Sequence, residues 1–372
     1  MPSILKYQHI VVKIGTSTIT SSSPRLSPPR LVELVRQMAG LYAAGCELIV
    51  ITSGAIAAGR EGLGFPQLPK DIPAKQMLAA IGQPRLMALY QQLFGLYGLS
   101  VAQVLLTRAD LNDRRRYLNS RNTLAALLAQ HAVPIVNEND TVATEEIRVG
   151  DNDNLSALVS NLIEADLLVL LTDQAGLFTA DPRRDPQARL VREVTGTEIP
   201  AELWQAAGGS QGGLGTGGMV TKLQAADLAR RSGALVAIAS GSEPGVLERL
   251  AQGEALGTRF HPVATAVESR KRYILAGGMA AGQLVVDEGA VRALRSGGSL
   301  LPVGVTAVEG SFERGDTVRV VDPGGREIAR GLANYAADDL RRIRGQRSDK
   351  IESILGFAYG EEVVHRSNMV LL

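Results

Sequence analysis

The sequence predicts an α/β fold: a three-layer α/β/α sandwich with a mainly parallel central sheet, plus a small β-rich, barrel-like C-terminal domain. Up to about residue 240, short apolar segments alternate with longer helical ones, as in parallel sheets covered by helices on both faces. After about residue 262 the chain changes to short segments separated by glycine and proline, which is typical of β-hairpins. At 372 residues, the chain is also long enough for two domains.

Six apolar segments, rich in Val, Ile or Leu and without strict alternation, have the pattern of strands buried on both faces. They predict strands at residues 9–14, 47–51, 101–106, 133–136, 167–171 and 234–239. The stretches between them predict helices at residues 28–44, 74–97, 116–130, 154–164 and 219–231. Ligands of such sheets bind beyond the carboxyl ends of the strands, so the residues that follow each strand are candidates for a site.

The change in pattern also predicts the domain boundaries. We expect a first domain over residues 1–262, a linker over residues 263–276 and a second domain over residues 277–372. In the second domain, the alternation at residues 317–321 before the Pro-Gly-Gly of residues 323–325 indicates a hairpin.

Composition narrows the class of protein. The formal net charge is +1, which argues against bulk electrostatic attraction to nucleic acid or membrane. A single cysteine, Cys46, excludes an internal disulfide and a cysteine-based metal cage. The apolar run at residues 10–14 contains Lys13 and is too short and too charged for a signal peptide or a membrane span. We therefore expect a cytoplasmic protein that does not enter a membrane.

Two clusters of short polar side chains are the most informative feature of the chain. Residues 137–140 (NEND) follow a predicted strand, and residues 150–153 (GDND) precede a predicted helix. Such residues form helices and strands poorly, because they bond to their own backbone. The clusters therefore suggest groups that hold a polar ligand. Asx-turns and a helix N-cap remain the alternative for either cluster alone.

Two further candidates follow the first two strands. Lys13 lies in an otherwise apolar strand, and Gly15 after it allows a close backbone approach, an arrangement that suits a phosphate. The alternative is a lysine whose ammonium extends to solvent. Ser53 and Gly54 precede small helix-forming residues, and the free N–H groups of a helix start bind anions. Ser53 as a simple N-cap is the compatible alternative.

The nucleotide candidates lie later in the chain. Thr172 and Asp173 end another strand, where they could hold a ribose or adenine or simply begin a turn. Residues 208–222 (GGSQGGLGTGGMVTK) match neither the dinucleotide fingerprint, since no strand precedes them, nor the P-loop pattern. What remains is a glycine loop that enters a helix, with Thr216 and Lys222 near its start, and this fits nucleotide phosphates. A disordered surface loop is the alternative.

Taken together, these candidates lack an obvious general base. They comprise two lysines, backbone donors in glycine-rich segments and an Asp/Asn cluster. Phosphoryl transfer to an acceptor that is already ionised needs positive charge and alignment rather than a base. A carboxylate is such an acceptor.

The chain resembles the glutamate 5-kinases of the amino acid kinase family. The resemblance rests on eight segments in order: VVKIGTSTIT, VITSGAIAAGR, KQMLAAIGQ, AQVLLTRADLNDRRRYLN, PIVNENDTV, VGDNDNLSALV, LLTDQAGLFTADPR and GTGGMVTKLQAA. Thr16 stands where acetylglutamate kinases usually carry a second glycine, which favours the glutamate 5-kinases. The C-terminal region resembles a PUA domain.

This resemblance implies ATP-dependent phosphorylation of the γ-carboxylate of L-glutamate, the first step of proline biosynthesis, with Mg²⁺ accompanying the triphosphate. It also implies a role for each candidate residue. Lys13 and Lys222 would neutralise the transferring phosphoryl group, and Asp153 would orient both lysines. The implied glutamate-binding residues are Ser53, Gly54, Asn137, Asp140, Asp151 and Asn152. The implied ATP-binding residues are Lys13, Gly15, Thr172, Asp173, Thr216, Gly217, Gly218, Met219 and Lys222, and no residue is assigned to a metal.

The resemblance further implies feedback inhibition by proline, a homodimer or homotetramer, and the option of direct handover of the acyl phosphate to glutamyl-phosphate reductase. Acetylglutamate and aspartate stay open as rival acceptors. RNA binding is a second class of function, because PUA domains elsewhere serve RNA-modifying enzymes. From residue 271 onward, however, the chain carries 14 Lys and Arg against 13 Asp and Glu. This balance argues against RNA binding by the C-terminal domain.

Overall fold

The computed structural model describes residues 5–143, 151–208, 218–265 and 280–372. Within these ranges the chain forms two compact units. The first unit contains residues up to 111 and from 120 to 265, and the second contains residues 112–119 and those from 280 onward. The predicted boundaries at residues 262 and 277 stay a prediction, since part of the predicted linker lies outside the described residues.

The first unit is built on an eight-stranded sheet with the strand order β3-β4-β2-β1-β5-β7-β8-β6. Its strands are β1 (His9–Ile14), β2 (Glu47–Thr52), β3 (Val101–Leu106), β4 (Val133–Glu138), β5 (Leu167–Thr172), β6 (Glu193–Val194), β7 (Leu235–Ser240) and β8 (Thr258–Phe260). Neighbouring strands pair in parallel except β7 and β8, which are antiparallel.

Helices connect these strands in chain order. They are α1 (Thr16–Thr20), α2 (Pro28–Ala43), α3 (Ala55–Gly62), α4 (Ile72–Gly95), α5 (Arg108–Asn112), α6 (Arg114–Ala129), α7 (Asp151–Leu162), α8 (Ala201–Ala206), α9 (Met219–Arg230) and α10 (Val246–Ala251). Prolines in the first turn favour the starts of α2 and α4, and the Asp71 carboxylate caps α4 by accepting from the Ala74 N–H at 2.9 Å. No helix among the described residues has the length and apolar character that crossing a membrane requires.

The core of the first unit lies between the sheet and its helices. The three central strands β2, β1 and β5 are buried along almost their whole length. Helices α3 and α4 pack in close contact because Gly82 has no side chain. A Cβ at Gly82 would lie 1.7 Å from the carbonyl oxygen of Ala55. This contact fixes α4 against the start of α3, beside the end of β2.

The second unit contains a five-stranded mixed sheet with the order β10-β9-β11-β12-β13. Its strands are β9 (Gly282–Val286), β10 (Val305–Gly310), β11 (Thr317–Val321), β12 (Glu327–Leu332) and β13 (Met369–Leu371). Strands β9 and β11 are parallel, and the other pairs are antiparallel. Among the described residues of this unit, three α-helices accompany the sheet: α11 (Glu288–Arg295), α12 (Ala337–Ile343) and α13 (Ile351–Leu355).

The predicted fold class is confirmed, as is the hairpin at β11 and β12. The Asp322 carboxylate shapes its turn by accepting from the N–H groups of Gly324 and Arg326 at 3.0 and 2.9 Å. A helix start after Gly54 was expected, but α3 was given no range; the antiparallel strand β8 and the helices α11, α12 and α13 were not predicted. Helix α7 begins at Asp151 rather than at residue 154, so Asp153 lies in its first turn.

Candidate active site

The strand order places most of the predicted site residues along one edge of the first unit's sheet. The parallel strands β4, β2, β1 and β5 are consecutive neighbours, and their carboxyl ends carry Asn137, Ser53, Lys13 and Thr172 respectively. With about 4.8 Å between strands, this row spans roughly 15 Å. Strand β1 lies within the row, between β2 and β5. Strands β2 to β4 lie on one side of it and the later strands on the other, so β1 marks the switch point of the sheet, where ligands usually bind.

At the centre of the row, two lysines share one carboxylate. The Lys13 Nζ lies 2.6 Å from Oδ1 of Asp153, and the Lys222 Nζ lies 3.3 Å from its Oδ2. All three side chains are buried, with 4%, 9% and 1% of Lys13, Lys222 and Asp153 exposed. Charged groups are buried in proteins only when they are paired, and here two formal positive charges face one negative charge. This lysine–aspartate triad therefore has a surplus positive charge that suits an anionic ligand.

Burial and the neighbouring charges shift the pKa values of Lys13 and Asp153. Burial lowers the pKa of Lys13 from its ordinary value, and the Lys222 ammonium lowers it further, although Asp153 opposes the shift. Burial alone would raise the pKa of Asp153. The two ammonium groups and the Thr221 hydroxyl outweigh that effect, so the pKa of Asp153 lies below its ordinary value. Asp153 is consequently an anion at neutral pH.

Two helix starts position the carboxylate and one of the ammonium groups. Asp153 lies in the first turn of α7, where the helix dipole favours a negative charge. Lys222 lies in the first turn of α9, where the same effect disfavours a positive charge. Thr221 precedes it and donates its hydroxyl to Oδ2 of Asp153 at 2.7 Å. The contact with Asp153 therefore holds Lys222 in position, because the helix dipole at the start of α9 disfavours its positive charge.

A cluster of uncharged polar groups lies on the β2 side of the triad. The Asn152 Nδ2 donates to the Thr52 carbonyl at 3.0 Å and to the Ser53 hydroxyl at 2.9 Å. Gly54, with φ +103°, is the N-cap residue of α3, so Ser53 precedes the cap and does not provide it. A Cβ at Gly54 would lie 2.3 Å from Cδ1 of Ile19. The sharp turn at Gly54 leaves the first N–H groups of α3 beside the cavity.

Asn137, at the end of β4, is turned into the protein. Only 2% of it is exposed, and its Oδ1 accepts from the Glu138 N–H at 2.9 Å and from the Asn152 Nδ2 at 3.0 Å. Its own Nδ2 donates to Oε1 of Gln83 at 2.8 Å. Asp140 is half-buried and lines the same cavity. Asn137 thus contacts Asn152 directly, whereas Asp140 lies beside the space a ligand would fill.

The predicted nucleotide residues that the structure describes lie at the ends of β1 and β5 and at the start of α9. Thr172 donates its hydroxyl to Oδ1 of Asp173 at 3.1 Å, and both residues line the cavity. Gly15 follows β1, and a Cβ there would lie 3.5 Å from the Lys13 Nζ. Gly218 is the N-cap of α9 and Met219 its first residue. Thr216, Gly217 and the side chain of Asp151 lie outside the described residues.

The predicted site residues that the structure describes in full all border one large cavity in the first unit. Its volume is about 1340 Å³, above the ~300–1,000 Å³ typical of a site for one small ligand. The lining includes residues from the ends of β1, β2, β4 and β5 and from the starts of α7 and α9. The space is large enough for two ligands that meet at the triad.

Sequence reasoning missed two residues that hold the site together. Thr221 donates to Asp153, and Gln83 accepts from Asn137. Gln83 could have been noticed as a polar residue between Gly82 and Pro84 in a mostly apolar helical segment. Thr221 gave no such signal, because a threonine in the first turn of a helix is common.

Comparison with known proteins agrees with this geometry. The amino acid kinase family model matches residues 8–240, and the PUA domain model matches residues 282–355. A curated glutamate 5-kinase from Shewanella amazonensis is 58% identical over 371 residues, which is 100% of this chain and 97% of that protein. The chain belongs to the glutamate 5-kinase branch of the amino acid kinase family.

Other members of this branch align over similar lengths. The glutamate 5-kinase of Shewanella sediminis is 55% identical over 100% of this chain and 99% of that protein. The glutamate 5-kinase of Salmonella paratyphi A is 56% identical over 98% of each chain. The family resemblance predicted from the sequence is confirmed.

Proposed function

We propose that this chain transfers the terminal phosphoryl group of ATP to the γ-carboxylate of L-glutamate, the first step of proline biosynthesis. The observation that carries the chemistry is the buried triad, in which Lys13 and Lys222 share the carboxylate of Asp153. The choice of substrate follows from relatives named glutamate 5-kinase that are 55–58% identical over nearly their full lengths. The proposal extends to a cytoplasmic enzyme, a homodimer or homotetramer, and inhibition by proline.

The order of the strands supports an assignment of the two substrates to opposite sides of the triad. Glutamate would lie at the ends of β4 and β2, against Asp140, Asn152 and the first N–H groups of α3, which suit a carboxylate. ATP would lie beyond β5 and the start of α9, against Thr172, Asp173 and Gly218. The acceptor oxygen and the terminal phosphorus would then meet over β1, beside Lys13.

The triad would stabilise the negative charge of the reacting groups and align the acceptor carboxylate with the terminal phosphate. A carboxylate acceptor is ionised at neutral pH, so no residue has to remove a proton from it. The main obstacle is repulsion between this anion and the triphosphate. The ammonium groups of Lys13 and Lys222 would stabilise the charge on the equatorial oxygens of the transferring group. Asp153 would hold both lysines while leaving the surplus positive charge for the ligands.

Mg²⁺ enters this proposal only as a companion of ATP. Among the described residues there is no group of three or more His, Cys, Asp or Glu side chains that could hold a metal ion. The most buried carboxylate of the site, Asp153, is already paired with two ammonium groups. These residues do not fit a protein-held metal, and Mg²⁺ commonly binds through phosphate oxygens and water instead.

The acceptor assay is the direct test of the proposed function. Purified enzyme would be incubated with ATP and L-glutamate, N-acetylglutamate or L-aspartate, and the acyl phosphate trapped with hydroxylamine. We expect hydroxamate to form efficiently with L-glutamate alone. A preference for N-acetylglutamate or aspartate would overturn the choice of substrate, and ATP hydrolysis without hydroxamate would overturn phosphoryl transfer to a carboxylate.

Asp140 provides a test of the glutamate side. Asp140→Ala removes a carboxylate that lines the same cavity as Asn152 and that would attract the ammonium group of glutamate. We expect the KM for glutamate to rise by roughly tenfold or more while kcat changes less, as for a lost ground-state contact. Initial rates at saturating ATP measure both constants. Asp140→Asn keeps the shape and should fall between wild type and Ala; a selective rise in the ATP KM would contradict the assignment.

A further inference from the structure

Four side-chain amides form a continuous hydrogen-bonded chain behind the acceptor side of the cavity. The Asn152 Nδ2 lies 3.0 Å from Oδ1 of Asn137, and its two hydrogens are shared among that oxygen, the Thr52 carbonyl and the Ser53 hydroxyl. The Asn137 Nδ2 donates to Oε1 of Gln83 at 2.8 Å. The Gln83 Nε2 then donates to Oε1 of Gln103 at 2.9 Å. The chain thus runs from Asn152, which lines the cavity, through β4 and α4 to the edge strand β3.

Backbone groups fix the direction of this chain. The Glu138 N–H can only donate, so the Asn137 atom 2.9 Å from it is the oxygen. The nitrogen of Asn137 is therefore the atom that faces Gln83, and Gln83 must present its oxygen. At the other end, the Thr52 carbonyl can only accept, so Asn152 presents its nitrogen there.

This direction leaves one acceptor without a protein partner. The Asn152 Oδ1 is buried and has no hydrogen-bond partner among the residues that the structure describes. Buried acceptors of this kind are uncommon, because leaving one unsatisfied is costly. Other atoms of Asn152 line the cavity, and a ligand with an N–H donor that reached Oδ1 from there would satisfy it. An amino acid acceptor has such a donor in its ammonium group.

Gln83 is firmly held in place behind this group. It is 9% exposed and is not among the described residues that line the cavity. The preceding residue, Gly82, packs directly on the Ala55 carbonyl, so the backbone of α4 cannot shift toward α3. Seven residues later, the Tyr90 hydroxyl lies 2.8 Å from that of Thr52. Helix α4 therefore supports the ends of both β2 and β4.

We propose that Gln83 is a positioning residue for the amino acid acceptor: it holds the Asn137 amide, which in turn holds Asn152 with its oxygen available to the ligand. This inference rests on the proposed function, because it assumes an amino acid acceptor at Asn152. Without an acceptor at position 83, the Asn137 Nδ2 would be buried and unpaired. The Asn137 amide would then rotate to find another partner, and Asn152 would lose its support.

The test compares Gln83→Met, Gln83→Glu and Gln37→Met with the wild-type enzyme. Met keeps the volume of the glutamine but removes its acceptor. Glu keeps an acceptor for Asn137, and the exposed Gln103 amide can turn to donate to the second oxygen. Gln37 is the matched control. It is 1% exposed, accepts from the Leu247 N–H at 2.9 Å, and is not part of the cavity lining.

We expect Gln83→Met to raise the KM for glutamate by about tenfold, with the ATP KM and kcat within about twofold of wild type. Gln83→Glu should recover most of the loss, and Gln37→Met should leave the glutamate KM unchanged. An unchanged glutamate KM in Gln83→Met would overturn the proposal. So would an equal rise in Gln83→Glu, or a parallel change in both KM values and kcat.

These outcomes are separate from the test of the proposed function. If the wild-type enzyme phosphorylated a different amino acid, the choice of glutamate would fail. The ratio of KM values between Gln83→Met and wild type, measured with that amino acid, would still test the role of Gln83. Thermal melting of each variant would show whether a KM change accompanies unfolding.

Discussion

Replacing Lys222 by alanine should lower kcat by roughly 10²- to 10³-fold, because it removes a positive charge that acts on the transition state in a buried site. The Lys222 Nζ lies 3.3 Å from Asp153, which also contacts Lys13, so its charge is concentrated where the phosphoryl group would pass. Release of ADP under saturating glutamate and ATP measures the effect. A loss of less than about tenfold would mean that the start of α9 does not serve the chemistry.

The same variant should fold as well as the wild-type protein. Deleting Lys222 leaves Lys13 and Asp153 as a one-to-one ion pair and removes the repulsion between two ammonium groups. Stability and activity are therefore expected to separate, as they do where a site keeps groups in unfavourable positions for function. Thermal melting checks this expectation. Lys75→Ala is the matched control, since Lys75 lines the same cavity from α4 but does not belong to the triad; its kcat should stay within a few-fold of wild type.

The fold was largely predictable because strands buried on both faces consist mainly of consecutive apolar residues, a pattern that is easily recognised in a sequence. The runs that form β1, β2 and β5 are mostly apolar, and each was placed to within one residue. Strand β8 has only three residues, too few for its pattern to be distinguished. Helix α3 was harder for another reason: its glycines are needed for close contact with α4, and glycine is a poor helix former on its own.

From the residues alone, the site was predictable in its residue types but not in its contacts, although the family resemblance implied that Asp153 orients both lysines. An internal lysine in β1 and a carboxylate cluster before the helix predicted at residues 154–164 indicated buried charge, because such groups are expensive without partners. That Lys13 and Lys222 share Asp153 depends on the approach of α9 to α7, which only the tertiary structure determines. Asn137 illustrates this difference. Its place in the polar cluster of residues 137–140 suggested a ligand contact, whereas its hydrogen bonds are to Asn152, Glu138 and Gln83.

Asp153→Asn should lose both stability and activity, whereas Lys222→Ala should lose activity alone. The substitution keeps the size of the side chain but leaves two buried ammonium groups without a counter-charge. Removing one partner from a buried ion pair costs about 3–5 kcal/mol. For a unit of this size the melting temperature should fall by roughly 10 °C. Activity should fall by at least about 10²-fold, because neither lysine is held in place.

A second substitution, added to Asp153→Asn, separates the repulsion between the Lys13 and Lys222 ammonium groups from a loss of packing at position 153. In the double variant Asp153→Asn with Lys222→Met, one of the two uncompensated ammonium groups is removed and Lys13 alone remains charged, so part of the lost stability should return. Activity should not return, because the charge that acts on the phosphoryl group is still reduced. Melting temperatures of the wild-type, single and double variants form a cycle that measures the coupling. Additive losses in this cycle would contradict the idea that the two ammonium groups repel each other across Asp153.

The pH dependence of Asp153→Asn follows from the same charges. In the wild-type protein, burial, together with Lys222, already lowers the pKa of Lys13, and Asp153 is the group that opposes the shift. Without that carboxylate, the pKa of Lys13 should fall further below its value in the unfolded chain. The unfolded state then binds more protons than the folded state, so stability rises with pH between the two pKa values. Relative to wild type, the variant should therefore regain stability as the pH is raised from about 7 toward about 10. Chemical denaturation at a series of pH values measures this difference, and a deficit that stays constant across the range would show that the damage is steric and not electrostatic.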